Sequence, residues 1–495
     1  MNRKFPVNAL LILFFTVVGM AVMGYHPGFE DDGVYLTAVK SDLNPALYPH
    51  DAVFFKVQLQ ATVFDQWVAA FVRWTGIPLS YTELLWQFGA IMLIVFSCWS
   101  IARQLFPEAR SQWAGVALVT AMFTLPVAGT ALYLVDQHLH PRAVATGLIL
   151  LAVSRMLAGK KWQSIPLLLL AFLLHPIMAA FGISFCFFLV LTTSEWVRLR
   201  LLFWRNQASR TLAIGVVPLG WVFSPTTPTW RMAIEARKYL LLYQWEWYEW
   251  LGAIAPLLLF WLLWNIARKR GETLLANFAL AVLLFGVFQM AVAMVMLGVP
   301  SMVRLVPLQP MRFLHLIYFF LMLLGGCLVG KYLLKGSVWR WAVFLIAING
   351  GMFAAQQPLF ASTDQLELPG RSSSNRWLQA FAWIRQNTPT NAYFALSPYY
   401  LPAPGEDYHC FRALAERSQL ADNIKDGSVV TQVPELGEVW ARQVQAQRGW
   451  DHFQIADFER LKAEFGVDWV LVSYLPPAGL VCRWHNDSLS VCQIP

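Results

Sequence analysis

Three consecutive carboxylates, Glu30-Asp31-Asp32, stand a few residues beyond the first apolar run of the chain. Adjacent carboxylates repel one another unless a cation or a proton shares the site. The trio therefore reads as a catalytic base, or as a ligand set in which Asp31 and Asp32 hold a divalent ion such as Mg2+ or Mn2+. The plainer alternative is an acidic turn opening a helix, where carboxylates are favoured. Asp136, His138, His140 and Arg142 gather between two later apolar segments. Two histidines two residues apart lack the i, i+4 geometry of strong zinc motifs, so a phosphate-facing role suits His140 and Arg142 better. Arg304 and Arg312 flank another turn, and a planar guanidinium can grip two oxygens of one phosphate; they can equally snorkel to lipid headgroups. Asp136, His138, His175 and His315 are placed behind these groups or against an acceptor. His175, inside an apolar stretch, needs partners for its ring nitrogens, and before Pro176 it can equally mark a kink.

The elements that must position these residues follow from hydropathy. The chain has 495 residues, 57% hydrophobic and 13% charged, against roughly 25% charged in soluble domains. Apolar windows of about 20 residues, the length that crosses a bilayer, recur before residue 355 and not after it. The pattern predicts a polytopic α-helical membrane protein of about eleven transmembrane helices, over 7–25, 80–102, 112–132, 142–158, 163–174, 176–193, 211–223, 249–266, 273–298, 313–330 and 339–355. Gly24-Tyr25-His26-Pro27 is a poor cleavage site, so the first run reads as a retained helix. Segment 163–193 can be one kinked helix or two; two keep the run Arg198 to Arg210 on the cytoplasmic side with Arg155, Lys160, Lys161 and Arg268-Lys269-Arg270. The net charge of +8 thus reports topology and implies no nucleic-acid partner. This threading puts the N-terminus in the cytoplasm and a soluble C-terminal α/β domain outside, dividing the chain into 1–355 and 356–495.

The first outer loop, 26–79, is longer than a connector requires. Within it Phe54, Val57, Ala61, Phe64, Val68 and Phe71 form an apolar stripe, which predicts an interfacial helix over about 51–74; packing on the soluble domain is the alternative. Ser224 to Trp250 is rich in Trp and Tyr, and Gln244 to Trp250 reads as an aromatic belt at the membrane boundary. In the tail, helices are expected over Trp377 to Gln386, Phe411 to Arg417 and Asp457 to Phe465. Strands are expected at Ala392 to Leu396 and Asp468 to Tyr474, with a hairpin at 480–494. Cys482 and Cys492 flank that hairpin turn, which predicts a disulfide in an oxidising compartment. Cys98, Cys186 and Cys327 read as packing residues, and Cys410 has no evident partner.

With its multi-span body, acidic first outer loop (Glu30-Asp31-Asp32-Gly-Val-Tyr35), interfacial helix and outer tail, the chain resembles the GT-C class of membrane glycosyltransferases. That class includes protein O-mannosyltransferases, aminoarabinose transferases and oligosaccharyltransferases. The tail, with Trp383-Ile-Arg-Gln-Asn-Thr-Pro389, Glu416-Arg-Ser418, Lys425-Asp426 and Gly466-Val-Asp-Trp469, is similar to the outer domain of bacterial membrane proteins associated with the class. The resemblance implies transfer of a sugar from a polyprenyl-phosphate-linked donor to an acceptor at the outer face of a bacterial inner membrane. It implies Asp31 or Asp32 as the base, Arg304 or Arg312 on the leaving phosphate, and Asp136 as a second loop acid. A transporter or flippase for a lipid-linked molecule, and a non-catalytic protein whose outer domain binds a partner, are the competing readings.

Overall fold

The structure is a computed structural model that describes residues 4–60, 62–194 and 226–495. The expected span 211–223 and the basic run Arg198 to Arg210 lie outside the described residues.

Among the described residues, six helical segments are long and apolar enough to cross a membrane: Leu79–Leu105, Pro176–Thr193, Trp247–Lys269, Thr273–Gly298, Ser301–Leu334 and Val338–Phe360. Val7–Met23 and Lys161–Leu174 are shorter apolar helices. The expected count of eleven is therefore not reached among the described residues. One expected span, 211–223, lies outside the described residues, and Ala109–Ala121 has only 13 residues, which at 1.5 Å per residue is about 20 Å, short of a core of about 30 Å. Large apolar side chains stay exposed around the bundle, among them Leu169, Leu258, Val287 and Ile346. A chain folded in water would bury them; here they form the face that meets lipid.

Two local departures from the expected spans shape the site. The helix expected over 112–132 ends at Ala121, and Pro126–Val127 pairs antiparallel with Leu132–Tyr133. Gly129 turns the hairpin with φ +61°, and a Cβ there would lie 2.5 Å from the Trp245 indole, so the turn needs glycine both for its backbone and for its fit. At 175 the chain breaks: His175 leaves helical geometry (φ −153°, ψ 88°), Pro176 starts the next helix, and the imidazole Nδ1 accepts the Met178 N–H at 3.4 Å.

The single interfacial helix expected over 51–74 is also corrected, because the segment forms two helices, Val53–Leu59 and Phe64–Thr75. The break is held by the end of another helix: Thr62 Oγ1 donates to the Leu174 carbonyl at 2.8 Å and the Val63 N–H to Leu173 at 3.2 Å. The apolar stripe divides accordingly. Phe54 packs with Trp230, Val430 and Trp440, Phe64 and Val68 enter the membrane-body core, and Trp67 and Trp74 point outward. Trp247 and Tyr248, in the expected belt, are exposed, and Trp245 is buried.

The tail carries a five-stranded sheet in the order Ser418–Gln419, Tyr393–Ala395, Trp469–Val472, Ser490–Gln493, Val481–His485. The first three strands are parallel and the last two antiparallel. Helices Arg376–Asn387, Phe411–Ala415 and Ile455–Phe465 stand close to their expected positions. Cys482 pairs across the hairpin with Cys492 and the two form a disulfide. Cys410 is buried, and its thiol donates to the Glu30 carbonyl at 3.0 Å. Helices Lys425–Gln432 and Gly437–Ala446 had no counterpart in the sequence expectations, and the first of them reaches the site.

Candidate functional site

A short 3-10 turn, Glu30–Gly33, follows the first helix. Gly28 enters it with φ +84°, and Asp32 N–H and Val34 N–H close it on the carbonyls of Phe29 (3.1 Å) and Asp31 (2.9 Å). Successive side chains on such a turn diverge by about 120°, so the three carboxylates cannot face one point. Asp32 turns inward. It is buried, and its Oδ2 accepts the Gly28 N–H at 2.8 Å. Burial, then repulsion from Glu83, pushes its carboxyl well above the ordinary range, so the neutral form is favoured relative to an exposed aspartate.

Glu30 and Asp31 instead line a cavity of about 290 Å3 with Tyr35, His140, His175, Gln309, Arg312 and Lys425. Lys425 comes from the C-terminal domain. Its ammonium donates to the Glu30 carboxylate and lies 3.2 Å from Asp31 Oδ1. Burial alone would raise the Asp31 carboxyl, but Lys425, with His140 and Arg142, holds it well below the usual range. Burial by itself would lower the Lys425 ammonium, and the two carboxylates lift it above its ordinary value. Both groups therefore remain charged across the physiological range.

His140 connects this pair to the next layer. It caps helix Pro141–Leu157, and its Nδ1 accepts the Arg142 N–H at 2.9 Å. That hydrogen bond assigns the ring proton to Nε2, which faces Asp31 Oδ2 at 3.4 Å. Burial, then the Arg142 charge, lowers its pKa, so the ring is neutral at pH 7. Arg142 holds Asp136 through two bonds, Nε to Oδ2 at 3.1 Å and Nη2 to Oδ1 at 2.5 Å. Against the upward push of burial, Arg142 and the two imidazoles keep the Asp136 carboxyl below its usual range. Arg142 is thus occupied by a buried carboxylate and does not line the cavity, contrary to its expected phosphate-facing role.

The other expected residues separate into near and far. His175 lines the cavity, its ring 6.1 Å from that of His140. His138 is buried behind, 5.8 Å from His140, with neither ring nitrogen hydrogen-bonded; burial drives its pKa down to about 3. His315 lies on a helix and its Nε2 meets the Leu134 carbonyl at 2.9 Å, which braces the loop carrying Asp136. Arg304 lies over the Trp230 ring, 5.9 Å from its centroid, and is not a lining residue. Arg312 is one. Its Nε is buried without a hydrogen-bond partner, and among the described residues no carboxylate forms an ion pair with it. A guanidinium nitrogen shut away from water with no acceptor is costly and marks a place where an anion fits.

Arg237, Tyr239, Gln309 and Lys425 were not anticipated as lining residues. Arg237 is no ligand group, because its guanidinium donates to Ser428 Oγ (3.0 Å) and to the carbonyls of Ala233, Asn423 and Ile424. It clamps helix Lys425–Gln432 in place. No local pattern could have joined Lys425 to Asp31, which lie 394 residues apart.

The expected divalent ion fits this arrangement poorly. Asp32 diverges from Asp31, and the Lys425 ammonium already sits where an ion would bridge Glu30 and Asp31. The carboxylates have a cation built into the protein.

No family model matches the chain, and no curated protein matches it. Among solved structures it is similar to the archaeal oligosaccharyltransferase AglB from Archaeoglobus fulgidus, in complex with an inhibitory peptide and a dolichol-phosphate. The identity is 11% and the TM-score 0.45, covering 95% of this chain and 69% of that one. An overlap this coarse assigns no residue a role. The chemistry of the cavity has to carry the functional reading.

Proposed function

We propose that the chain is a GT-C-type membrane glycosyltransferase that moves a sugar from a polyprenyl-phosphate-linked donor to an acceptor hydroxyl at the outer face of a bacterial inner membrane. One observation carries this reading: a carboxylate kept ionised, Asp31, and a guanidinium with no ion-pair partner among the described residues, Arg312, line the same cavity. Transfer of a glycosyl group requires both. The acceptor oxygen bonds to the anomeric carbon as the carbon–oxygen bond to phosphate breaks. The electron pair leaves on the polyprenyl phosphate, and the acceptor proton passes to a carboxylate.

Arg312 stabilises the charge that grows on the departing phosphate. Asp31 accepts a hydrogen bond from the attacking hydroxyl, orients it, and takes its proton late, when bond breaking has made that hydroxyl acidic. A carboxylate with a depressed pKa suits orientation better than early proton abstraction. His140, as its Nε2–H tautomer, fixes the Asp31 carboxylate from one side and Lys425 from the other. At about 290 Å3 the cavity has the size of a small ligand site, roughly 300 Å3 and above, enough for a sugar-phosphate head with its prenyl chain outside.

The test is binding of undecaprenyl phosphate to the purified protein in detergent, with uncharged undecaprenol as the control. Wild-type protein should prefer the phosphate. Arg312→Gln should weaken phosphate binding by roughly 10- to 100-fold, as expected for one charged hydrogen bond of about 1.5–3 kcal/mol. Equal binding of the two lipids, or an unaffected Arg312→Gln variant, would overturn the reading.

A further inference from the structure

A second cluster, outside the cavity, joins three separate parts of the chain. His26 lies just after the first helix, Glu367 in the segment after the last apolar helix, and His409 in the sheet domain. Glu367 Oε1 meets His26 Nδ1 at 2.7 Å and His409 Nε2 at 2.9 Å. Both imidazoles are fully buried. One ligand atom from each of the three residues lies within 4.8 Å of the other two.

We propose that His26 Nδ1, Glu367 and His409 Nε2 form a zinc site that ties the acidic loop to the C-terminal domain. Two imidazoles and a carboxylate are a donor set typical of Zn2+. Zinc–ligand bonds of about 2.0–2.2 Å in a tetrahedron separate neighbouring ligand atoms by roughly 3.3 Å. The two contacts need to open by about half an ångström, with the ion replacing the protons now held between the rings and the carboxylate. The His409 ring is already oriented for this: its Nδ1 faces the Glu406 carbonyl at 3.1 Å, the outer hydrogen bond that metal-binding histidines usually make. Asp407 and Tyr408, just before it, both hold positive φ angles, 61° and 59°. Asp407 Oδ2 is anchored by the Ser362 N–H at 2.9 Å and the Thr363 hydroxyl at 3.1 Å. Strain of this kind persists where the surroundings dictate one orientation. The His26 ring lies stacked on Phe360, centroids 3.5 Å apart.

Entry is provided on the third side. Glu367 lines an open cavity of about 570 Å3 with Tyr25, Pro27 and Asp364, from which an ion can arrive and a water can complete the tetrahedron. His26 precedes Asp31 by five residues, so an ion here would fix the loop that presents the acid without touching substrate. The proposal stands apart from the transfer reaction and is tested without it.

Full-length protein in detergent is stripped with EDTA, reloaded with Zn2+ alone, freed of unbound metal by gel filtration, and assayed by plasma mass spectrometry and thermal unfolding. Stoichiometric zinc and a raised unfolding midpoint are expected in the wild type. Glu367→Gln, close in shape, should weaken zinc binding by at least about tenfold. The double variant His26→Asn/His409→Asn should lose it. Co2+ loaded in place of zinc should give the visible absorption of a tetrahedral site in the wild type alone. Substoichiometric zinc in the wild type, or undiminished zinc in the double variant, would overturn the proposal and leave a hydrogen-bonded triad.

Discussion

Asp31 and Asp32 are neighbours of the same chemical type, and the structure gives them opposite fates. Changing each to asparagine separates the two roles. Asp31→Asn keeps the shape but removes the charge that faces Lys425 and His140. If Asp31 orients the attacking hydroxyl and accepts its proton, the loss should fall in the range of general-base removal, about 100- to 10,000-fold in kcat, or roughly 3–5.5 kcal/mol of barrier. Burial shifts the Asp32 carboxyl toward its neutral form, and an amide oxygen can accept the Gly28 N–H as the acid oxygen does. Asp32→Asn keeps the shape and the hydrogen bond of a carboxyl that burial disfavours as an anion, and should cost less than about 1 kcal/mol, under about tenfold in rate. The assay follows a radiolabelled sugar leaving its polyprenyl-phosphate carrier in proteoliposomes, with unfolding midpoints checked for both variants. Equal losses, or a larger loss for Asp32→Asn at unchanged stability, would refute the division of labour drawn from the 3-10 turn.

Two further outcomes follow from the same charges. Lys425→Met removes the main cation holding the Asp31 carboxyl down, so that pKa must rise. The acid limb of the rate–pH profile should then move to higher pH, and an unmoved limb in an active variant would show that Asp31 does not control it. Arg142→Gln leaves the Asp136 carboxylate buried without its bidentate partner, and breaking a buried pair costs about 3–5 kcal/mol. A large fall in the unfolding midpoint is expected, and an unchanged midpoint would mean that Asp136 finds water or another donor.

The elements were more legible than the site. Apolar runs such as Thr273–Gly298 announce themselves because a bilayer leaves backbone groups no partner but their own helix. At His175-Pro176 the sequence allowed a kink or a break, and two helices were expected from the placement of basic residues; the structure has the break. The pairing of Cys482 with Cys492 was visible because the two flank one turn. Ala109–Ala121 was read as longer than it is, since the apolar hairpin after it resembles a continued helix until the Trp245 contact that requires Gly129 is known. The stripe from Phe54 to Phe71 carried the right period but not the division into two helices, the second of which is set by the bonds of Thr62 and Val63 to the carbonyl end of a helix more than a hundred residues later.

By itself the sequence pointed to a helical membrane body followed by an α/β domain, and to Glu30, Asp31, Asp32, His140, Arg142, Arg304 and Arg312 as residues able to do chemistry. Only the tertiary structure decided which of them share a cavity. Hydropathy and turn propensity act over a few residues, whereas the pKa of Asp31 and the surroundings of the Arg312 guanidinium depend on whatever the fold sets within a few ångströms. For Asp31 that neighbour is a lysine 394 residues away, and no local pattern encodes so distant a contact.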